Sequence, residues 1–426
     1  MAKIWARILI AGGWRQFLIP ASTAALLALA PCAAPAQQAG VNFPDGPGKN
    51  TVVGICGSCH DIGRLTAGYS PEGWHTVIRM MQNFGAPIPP EEVAGITDYL
   101  IKSFPERPRP AAALIAGDTQ IDIKEWPVAT EGSRPHDPLA ARDGSLWYSG
   151  QLANVLGRLD PASGAIREYK LNPQTGPHGL KEDKDGNIWF TGNFAGLIGR
   201  LDPKTGDVRE YRLPDASAKD PHTLVFDHDG IIWFTVQGGN KVGRLDPTSG
   251  EIRLVTPPTA NARPYGIVVN AKNAVWFVEF GAPKIATIDS KTMEIREYLL
   301  PDAAARPRRL AVGPDDAIWY VDFARGFLGR LDPTTGMVKE WASPSGPKSQ
   351  PYGIVFTKGA VWYSESAAKP NTIVRFDPAS EKFQSWAIPG GGDIVRNMDV
   401  DRNGNPVLAN SLVNKVGVVE IGGTGH

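Results

Sequence analysis

Six tryptophans recur along this chain at nearly constant intervals. Trp147, Trp189, Trp233, Trp276, Trp319 and Trp362 are separated by 42, 44, 43, 43 and 43 residues. A fixed period of this length signals one supersecondary unit copied many times, which restricts the fold more than any other feature of the sequence. Each Trp follows a turn, as in Asp185-Gly186-Asn187-Ile188-Trp189, and lies in a strand. Another strand follows, such as Gly199-Arg200-Leu201-Asp202-Pro203, and after a Gly turn comes one such as Val208-Arg209-Glu210-Tyr211. Four short strands in about 43 residues make one blade of a β-propeller. A seventh copy carries Val407 at the Trp position and Gly417-Val418-Val419-Glu420 in its third strand. It has no fourth strand of its own. Ahead of copy one, however, stands Ile121-Asp122-Ile123-Lys124-Glu125-Trp126, which matches the fourth strands Ile295-Arg296-Glu297-Tyr298 and Val338-Lys339-Glu340-Trp341. The expectation is an all-β, seven-bladed propeller over 119–422, its last blade completed by 121–126 so that no sheet edge stays open. Abundant turn residues, 47 Gly and 37 Pro, suit so many short strands.

Upstream of the repeat lies Cys56-Gly57-Ser58-Cys59-His60, the C-x-x-C-H spacing of covalent haem attachment. Two thiols form thioethers to the haem and the adjacent imidazole ligates iron, so all three groups must reach one rigid macrocycle. Structural zinc needs about four ligands, and only Cys32 remains as a further cysteine. Around the motif, 41–108 reads as a small all-α domain. One helix runs from about Thr51 to Cys59. A second starts after Ser70-Pro71-Glu72, with Trp74, Val77, Ile78, Met81 and Phe84 spaced as one helical face. A third begins near Pro90 and carries Val93, Ile96, Tyr99 and Leu100. Electron-transfer haem usually takes Met or His as its second axial ligand. Met81, on the Trp74 face, is the expected distal ligand, with Met80 and His75 as alternatives. A proline-rich linker, 109–118, leads to the propeller.

Residues 1–36 have the features of a secretory signal: Lys3, Arg7 and Arg15, the apolar run Ala24–Ala30, and a cleavage site at Ala34-Pro35-Ala36. The run is too short to span a bilayer, and Pro31 before Cys32 argues against lipid attachment. The expected product is exported to the periplasm, where haem c is attached, without a membrane span. With 44 basic and 44 acidic side chains, no net charge favours nucleic acid.

The segment with Cys56, Cys59 and His60, then Trp74, Arg79–Met81, Gly85-Ala86 and Tyr99-Leu100, resembles the short cytochrome c domains of bacterial periplasmic oxidoreductases. The blades, through Pro177-His178-Gly179, Asp185–Thr191 and Gly199–Pro203, resemble the streptogramin B lyase (virginiamycin B lyase) family. That resemblance implies a magnesium-assisted elimination that opens a cyclic depsipeptide, with a His as general base and Glu side chains holding the metal.

The repeat Trp serves as a ruler for the central channel. Eleven residues earlier stand His136, His178, His222, Tyr265, Arg308 and, counted from Val407, Arg396; Tyr352 fits with one deletion. Three residues later stand Gly150, Gly192, Val236, Glu279, Asp322, Glu365 and Asn410. If both positions face the channel mouth, the ring is asymmetric, with histidines beside small residues in blades one to three and carboxylates beside Tyr and Arg in blades four to six. His178, His222 and Glu279 are then the candidate catalytic groups, and Glu279, Asp322 and Glu365 candidate ligands for Mg²⁺ or Ca²⁺, unless they pair with Arg308 and Arg396. Arg308, Arg396 and Tyr265 suit an anionic or aromatic ligand. The family pattern, as the resemblance implies it, puts an inner-strand His and a post-Trp Glu in one blade. Here Glu279 follows Tyr265 and Glu365 follows Tyr352, while His178 and His222 go with Gly192 and Val236.

The expected function is therefore an exported mono-haem c cytochrome fused to a lyase-like propeller. It would transfer single electrons with a periplasmic redox partner, coupled to binding of a partner or small-molecule substrate in the channel. If it is an enzyme, it is a haem-dependent oxidoreductase or, alternatively, a Mg-dependent C–O lyase; a third possibility is a ligand sensor read through the haem.

Overall fold

The computed structural model describes residues 42–58 and 61–422. The signal segment, Cys59 and His60 lie outside the described residues.

The upstream part is helical: α1 (Lys49–Cys56), α2 (Pro71–Asn83) and α3 (Val93–Ser103), with short 3-10 turns at Ile62–Ala67 and Pro90–Glu92. The first helix stops at Cys56, earlier than the sequence suggested, because Gly57 takes over as its C-cap. Ser70 caps α2 by accepting from Gly73 N at 3.1 Å, and Pro71 fills the first helical position. Trp74, Ile78, Ile96, Tyr99 and Leu100 form the core, and Trp74 Nε1 donates to Phe104 O at 2.9 Å. No helix among the described residues is long and apolar enough to cross a membrane.

The sequence reading of α2 needs one correction. It has two apolar faces. Trp74, Ile78 and the half-buried Val77 turn to the helical core, Met80 is buried against Leu152 and Leu412 of the propeller, and the half-buried Met81 packs on both. Phe84 meets Phe194, ring centroids 5.0 Å apart, and Asn83 Nδ2 donates to Glu131 O at 2.8 Å. The linker after α3 is tied down as well. Residues Pro110 and Ala112 exchange backbone bonds with Lys369, and Ser385 N donates to Ile115 O at 3.0 Å, along the outside of blade six.

Seven four-stranded antiparallel sheets follow, six of them laid down in chain order from axis to rim. The last combines three C-terminal strands with Ile121–Pro127, which pairs along Lys415–Ile421 from Ile121↔Ile421 to Pro127↔Lys415. This is the closure expected from the repeat arithmetic, and it places the first and last strands in one sheet.

The repeated residues explain themselves in packing. The turn carboxylate of Asp183 accepts from Asp185 N and Asn187 N, both at 2.9 Å, and from Trp189 Nε1 at 2.8 Å. Asp227 does the same for Trp233. The Trp ring then stacks on the aromatic of the fourth strand: Trp189 on Tyr211 at 5.4 Å, Trp319 on Trp341 at 5.6 Å, Trp362 on Trp386 at 5.7 Å. One side chain thus fixes the turn, strand two and strand four.

Trp189→Ala should lower stability by about 3–5 kcal/mol, the usual cost of emptying a large aromatic site. Trp189→Phe keeps the stacking but strands Asp183, and should cost about 1–3 kcal/mol. Denaturant midpoints of the two variants check the order; equal losses would mean that the hydrogen bond, not the ring, dominates.

Candidate functional site

All seven innermost strands share one irregularity. Each pairs normally through its first residue, then shifts register, as between Pro135 and Pro138, Pro177 and Leu180, or Val395 and Met398. A bulge re-aims the side chains it frees, and here the freed residues are His136, His178, His222, Tyr265, Arg308, Tyr352 and Arg396. Several bulges are entered through a left-handed residue: Arg134, Asp220, Arg263 and Gln350 have φ of 57, 70, 52 and 51°. Non-glycine residues rarely adopt this conformation, and such strain gathers at functional sites.

The freed side chains converge on the axis. His136 and His178 have ring centroids 3.6 Å apart, His178 and His222 3.8 Å, and His222 and Tyr265 3.8 Å. The Tyr265 and Tyr352 hydroxyls are hydrogen-bonded to each other. The Arg308 guanidinium lies 3.8 Å from the Tyr352 ring centroid, 4.1 Å from Phe323, 4.8 Å from Phe280 and 5.1 Å from Tyr265. The ring positions predicted from the Trp ruler are therefore all brought together.

One residue further along, a polar plug closes the axis. Arg309 reaches across from blade five, donating to Asp137 Oδ1 at 3.1 Å, Thr223 Oγ1 at 2.9 Å and Arg396 O at 3.2 Å. Asp137 also accepts through Oδ2 from Asn397 Nδ2 at 2.8 Å, and His136 Nδ1 lies 2.8 Å from Oδ1, the oxygen that Arg309 holds. The sequence reading missed Asp137 and Arg309. Aligning the position after each ring residue would have exposed them, since blades two, four and six carry Gly179, Gly266 and Gly353 there.

The post-Trp carboxylates Glu279, Asp322 and Glu365 are fully buried, and Asp322 and Glu365 are engaged by groups beside them. They end strand two and point between strands and loops of their own neighbourhood. Asp322 accepts from Arg306 N at 3.0 Å and Arg325 Nε at 2.6 Å. Glu365 accepts from Ser343 Oγ at 2.7 Å, Ser345 N at 2.8 Å and Thr372 Oγ1 at 2.6 Å. Glu279 is fully buried, with no hydrogen-bond partner for either carboxylate oxygen among the described residues. It lies near Glu297, which is held by Lys284 at 2.5 Å and Thr259 N at 2.9 Å. The three carboxylates thus share no metal site, and they do not pair with Arg308 or Arg396. Among the described residues the only metal-ligating cluster is His136, Asp137 and His178, whose carboxylate is already engaged by Arg309.

Electrostatics reinforce the division. Burial, followed by the nearby arginines and neighbouring histidines, holds His136, His178 and His222 well below the ordinary imidazole value. Neutral histidines at this depth are poor proton acceptors near neutral pH. Burial alone would raise the Tyr352 phenol, but Arg308, Arg396 and Arg309 outweigh it and bring it down to about 8. Burial, then Glu297, pushes Glu279 up to about 8.

With this geometry in place, comparison with known proteins is informative. Residues 112–423 match the model of the virginiamycin B lyase family. The chain belongs to that family. A streptogramin B lyase structure is similar at 29% identity and TM-score 0.65, covering 71% of this chain and 98% of that one. Virginiamycin B lyase from Staphylococcus aureus is similar at 26% identity and TM-score 0.65, covering 71% and 99%. A catalytically inactive His-to-Ala variant of the Staphylococcus aureus enzyme with quinupristin aligns equally well. Hydrazine synthase of Kuenenia stuttgartiensis, at 13% identity and TM-score 0.56, shares the fold. No curated protein sequence matches the chain. The helical part, 42–104, lies outside the family match.

Glu279 provides a test of the electrostatics. Because its folded value lies above the ordinary 4.5, its contribution to stability is complete below about pH 4.5 and is lost as pH rises towards about 8. Wild-type melting temperature should therefore fall more between about pH 5 and about pH 8.5 than that of Glu279→Gln, which cannot ionise. Parallel curves would mean that Glu279 is ionised and paired in solution.

Proposed function

We propose that this chain is an exported c-type haem protein in which a lyase-family propeller has become a binding module for haem-linked electron transfer. The observation that carries the reading is the placement of Cys56 and Met81. Cys56 ends α1, and Met81 on α2 packs on the same core, together with the half-buried Val53, Ile55, Leu65, Tyr69 and Val77. Apolar side chains left half-covered around the first cysteine of a C-x-x-C-H motif fit a haem face. Cys56 and Cys59 would anchor it, His60 would be its proximal ligand and Met81 its distal one. Bound there, the haem would supply a one-electron couple.

The propeller's own residues favour binding over elimination. No imidazole shares a blade with Glu279, the histidines on the axis are held neutral, and Asp137 is neutralised by Arg309. A periplasmic redox partner and a small molecule at the channel mouth complete the proposal. The second reading, a Mg-dependent lyase, draws on family membership and on the buried Glu279.

Two measurements separate these readings. A denatured gel of wild-type protein should stain for covalent haem, Cys59→Ala should lose two-point attachment, and Met81→Ala should lose the weak thioether-to-iron band in the far red. An unstained wild type would end the haem reading, and an unchanged band would move the ligand to Met80 or His75. Incubation with a streptogramin B depsipeptide and Mg²⁺ should give no product; a new species of unchanged mass would put elimination first.

A further inference from the structure

The mouth of the propeller gathers more positive charge than it neutralises. Arg134, Arg308, Arg309 and Arg396 all act on His136, and they come from blades one, five and seven. Among the described residues, Arg309 alone of these four has a carboxylate partner. Among the described residues Arg134 donates to Gln151 Oε1 at 2.9 Å, Arg396 to Ser411 Oγ at 3.1 Å, and Arg308 to Tyr265 Oη at 3.4 Å. These acceptors are neutral. Arg134 Nε and Arg308 Nε are buried without a hydrogen-bond partner among the described residues, and His178 Nδ1, in a residue only 2% exposed, has Asp137 Oδ1 no nearer than 3.8 Å. The nearby acids are committed elsewhere. Asp220 is held by Asn193 beside Arg263, and Asp393 pairs with Arg109 at 2.5 Å.

Burying a charge is costly unless an opposite charge accompanies it. Cation–π contacts to Tyr265, Phe280, Phe323 and Tyr352 soften the cost for Arg308 but cancel no charge. The surroundings also select among anions. Aromatic rings flank Arg308, and α2 lays Met80 over Leu152 and Leu412 on the adjoining side of the mouth. A doubly charged, strongly hydrated anion would lose too much solvation there. A singly charged group on an apolar body matches both the guanidiniums, which accept a planar bidentate oxyanion, and the apolar cover.

We propose that the axial mouth, between Arg134, Arg308 and Arg396 and beneath α2, binds a small organic carboxylate with an apolar body. This deepens the reading of the propeller as a binding module by naming its ligand class. It differs from the depsipeptide chemistry of the family, because the recognising groups are the arginines and tyrosines at the bulge positions and not the post-Trp carboxylates.

The test is calorimetric titration of the full-length, haem-loaded protein with benzoate, its neutral isostere benzamide, and inorganic phosphate. Benzoate should bind saturably, with benzamide and phosphate weaker by about tenfold or more, and Arg308→Gln should weaken benzoate by about tenfold or more. Arg134→Gln, on the loop before the innermost strand, gives the same reading if the Arg308 variant does not fold. No saturable benzoate binding, equal binding of benzamide or phosphate, or unchanged affinity in a folded variant would overturn the proposal. The calorimetry is independent of haem staining, so a failure here leaves the haem assignment standing.

Discussion

Seven twisted sheets can surround one axis only if the first and last are joined, and the joint is the pairing of Ile121–Pro127 with Lys415–Ile421. The innermost strands then crowd together, and regular pairing along their whole length would drive seven backbones into the same space. The shared register shift relieves this crowding. It also takes one residue per blade out of the ladder and directs it inward. The functional ring is therefore a by-product of closure: the geometry that lets the propeller exist also presents seven side chains to one point. Asp137 and Arg309, one residue deeper, seal the axis below them.

What fills that ring is unusual in its charge. A scaffold of this kind can bury seven hydrophobic or seven neutral polar residues without penalty, yet here two ring positions are arginines and a third guanidinium enters from Arg134. Its left-handed backbone, φ 57°, makes that approach possible at a conformational cost. The protein supplies a partial remedy of its own, since the arginines bring the Tyr352 phenol down to about 8. No carboxylate among the described residues pairs with Arg134, Arg308 or Arg396, so the charge is left largely unmatched by acids of the protein.

The repeat was legible in the sequence because six blades keep a buried Trp at the same place, which stacks on the fourth strand and, in Trp189 and Trp233, also holds the turn carboxylate. The ring residues were legible for the same reason: they keep a fixed offset from that Trp. The fate of Glu279, Asp322 and Glu365 was not legible. Offset fixes the place of a residue along a strand, but whether it faces the axis or the cleft between strands depends on the bulge, which shifts side-chain phase in strand one and not in strand two. The packing of Met80 was not legible for a related reason. Periodicity on α2 reveals the face that meets its own core, whereas the second face is defined by Leu152 and Leu412, residues of a separate domain. The haem motif itself was read from spacing, and Cys59 and His60 lie outside the described residues.

The two faces of α2 bear on how such a fusion would work. Met80 and Met81 are neighbours in sequence but lie about 100° apart around the helix, Met80 buried against Leu152 and Leu412 of the propeller and Met81 touching both that cluster and the core that contains Cys56. A ligand that displaced Met80 at the mouth would have to move or rotate α2, and a rigid helix cannot pass on that movement without disturbing Met81. The linker adds to the constraint, because its bonds to Lys369 and Ser385 on blade six leave the helical part little freedom to swing away as a unit. Binding at the axis and ligation at a haem held by Met81 would thus share one mechanical element. In that arrangement occupancy of the propeller would alter a haem held there through a single helix, with no need for contact between ligand and haem.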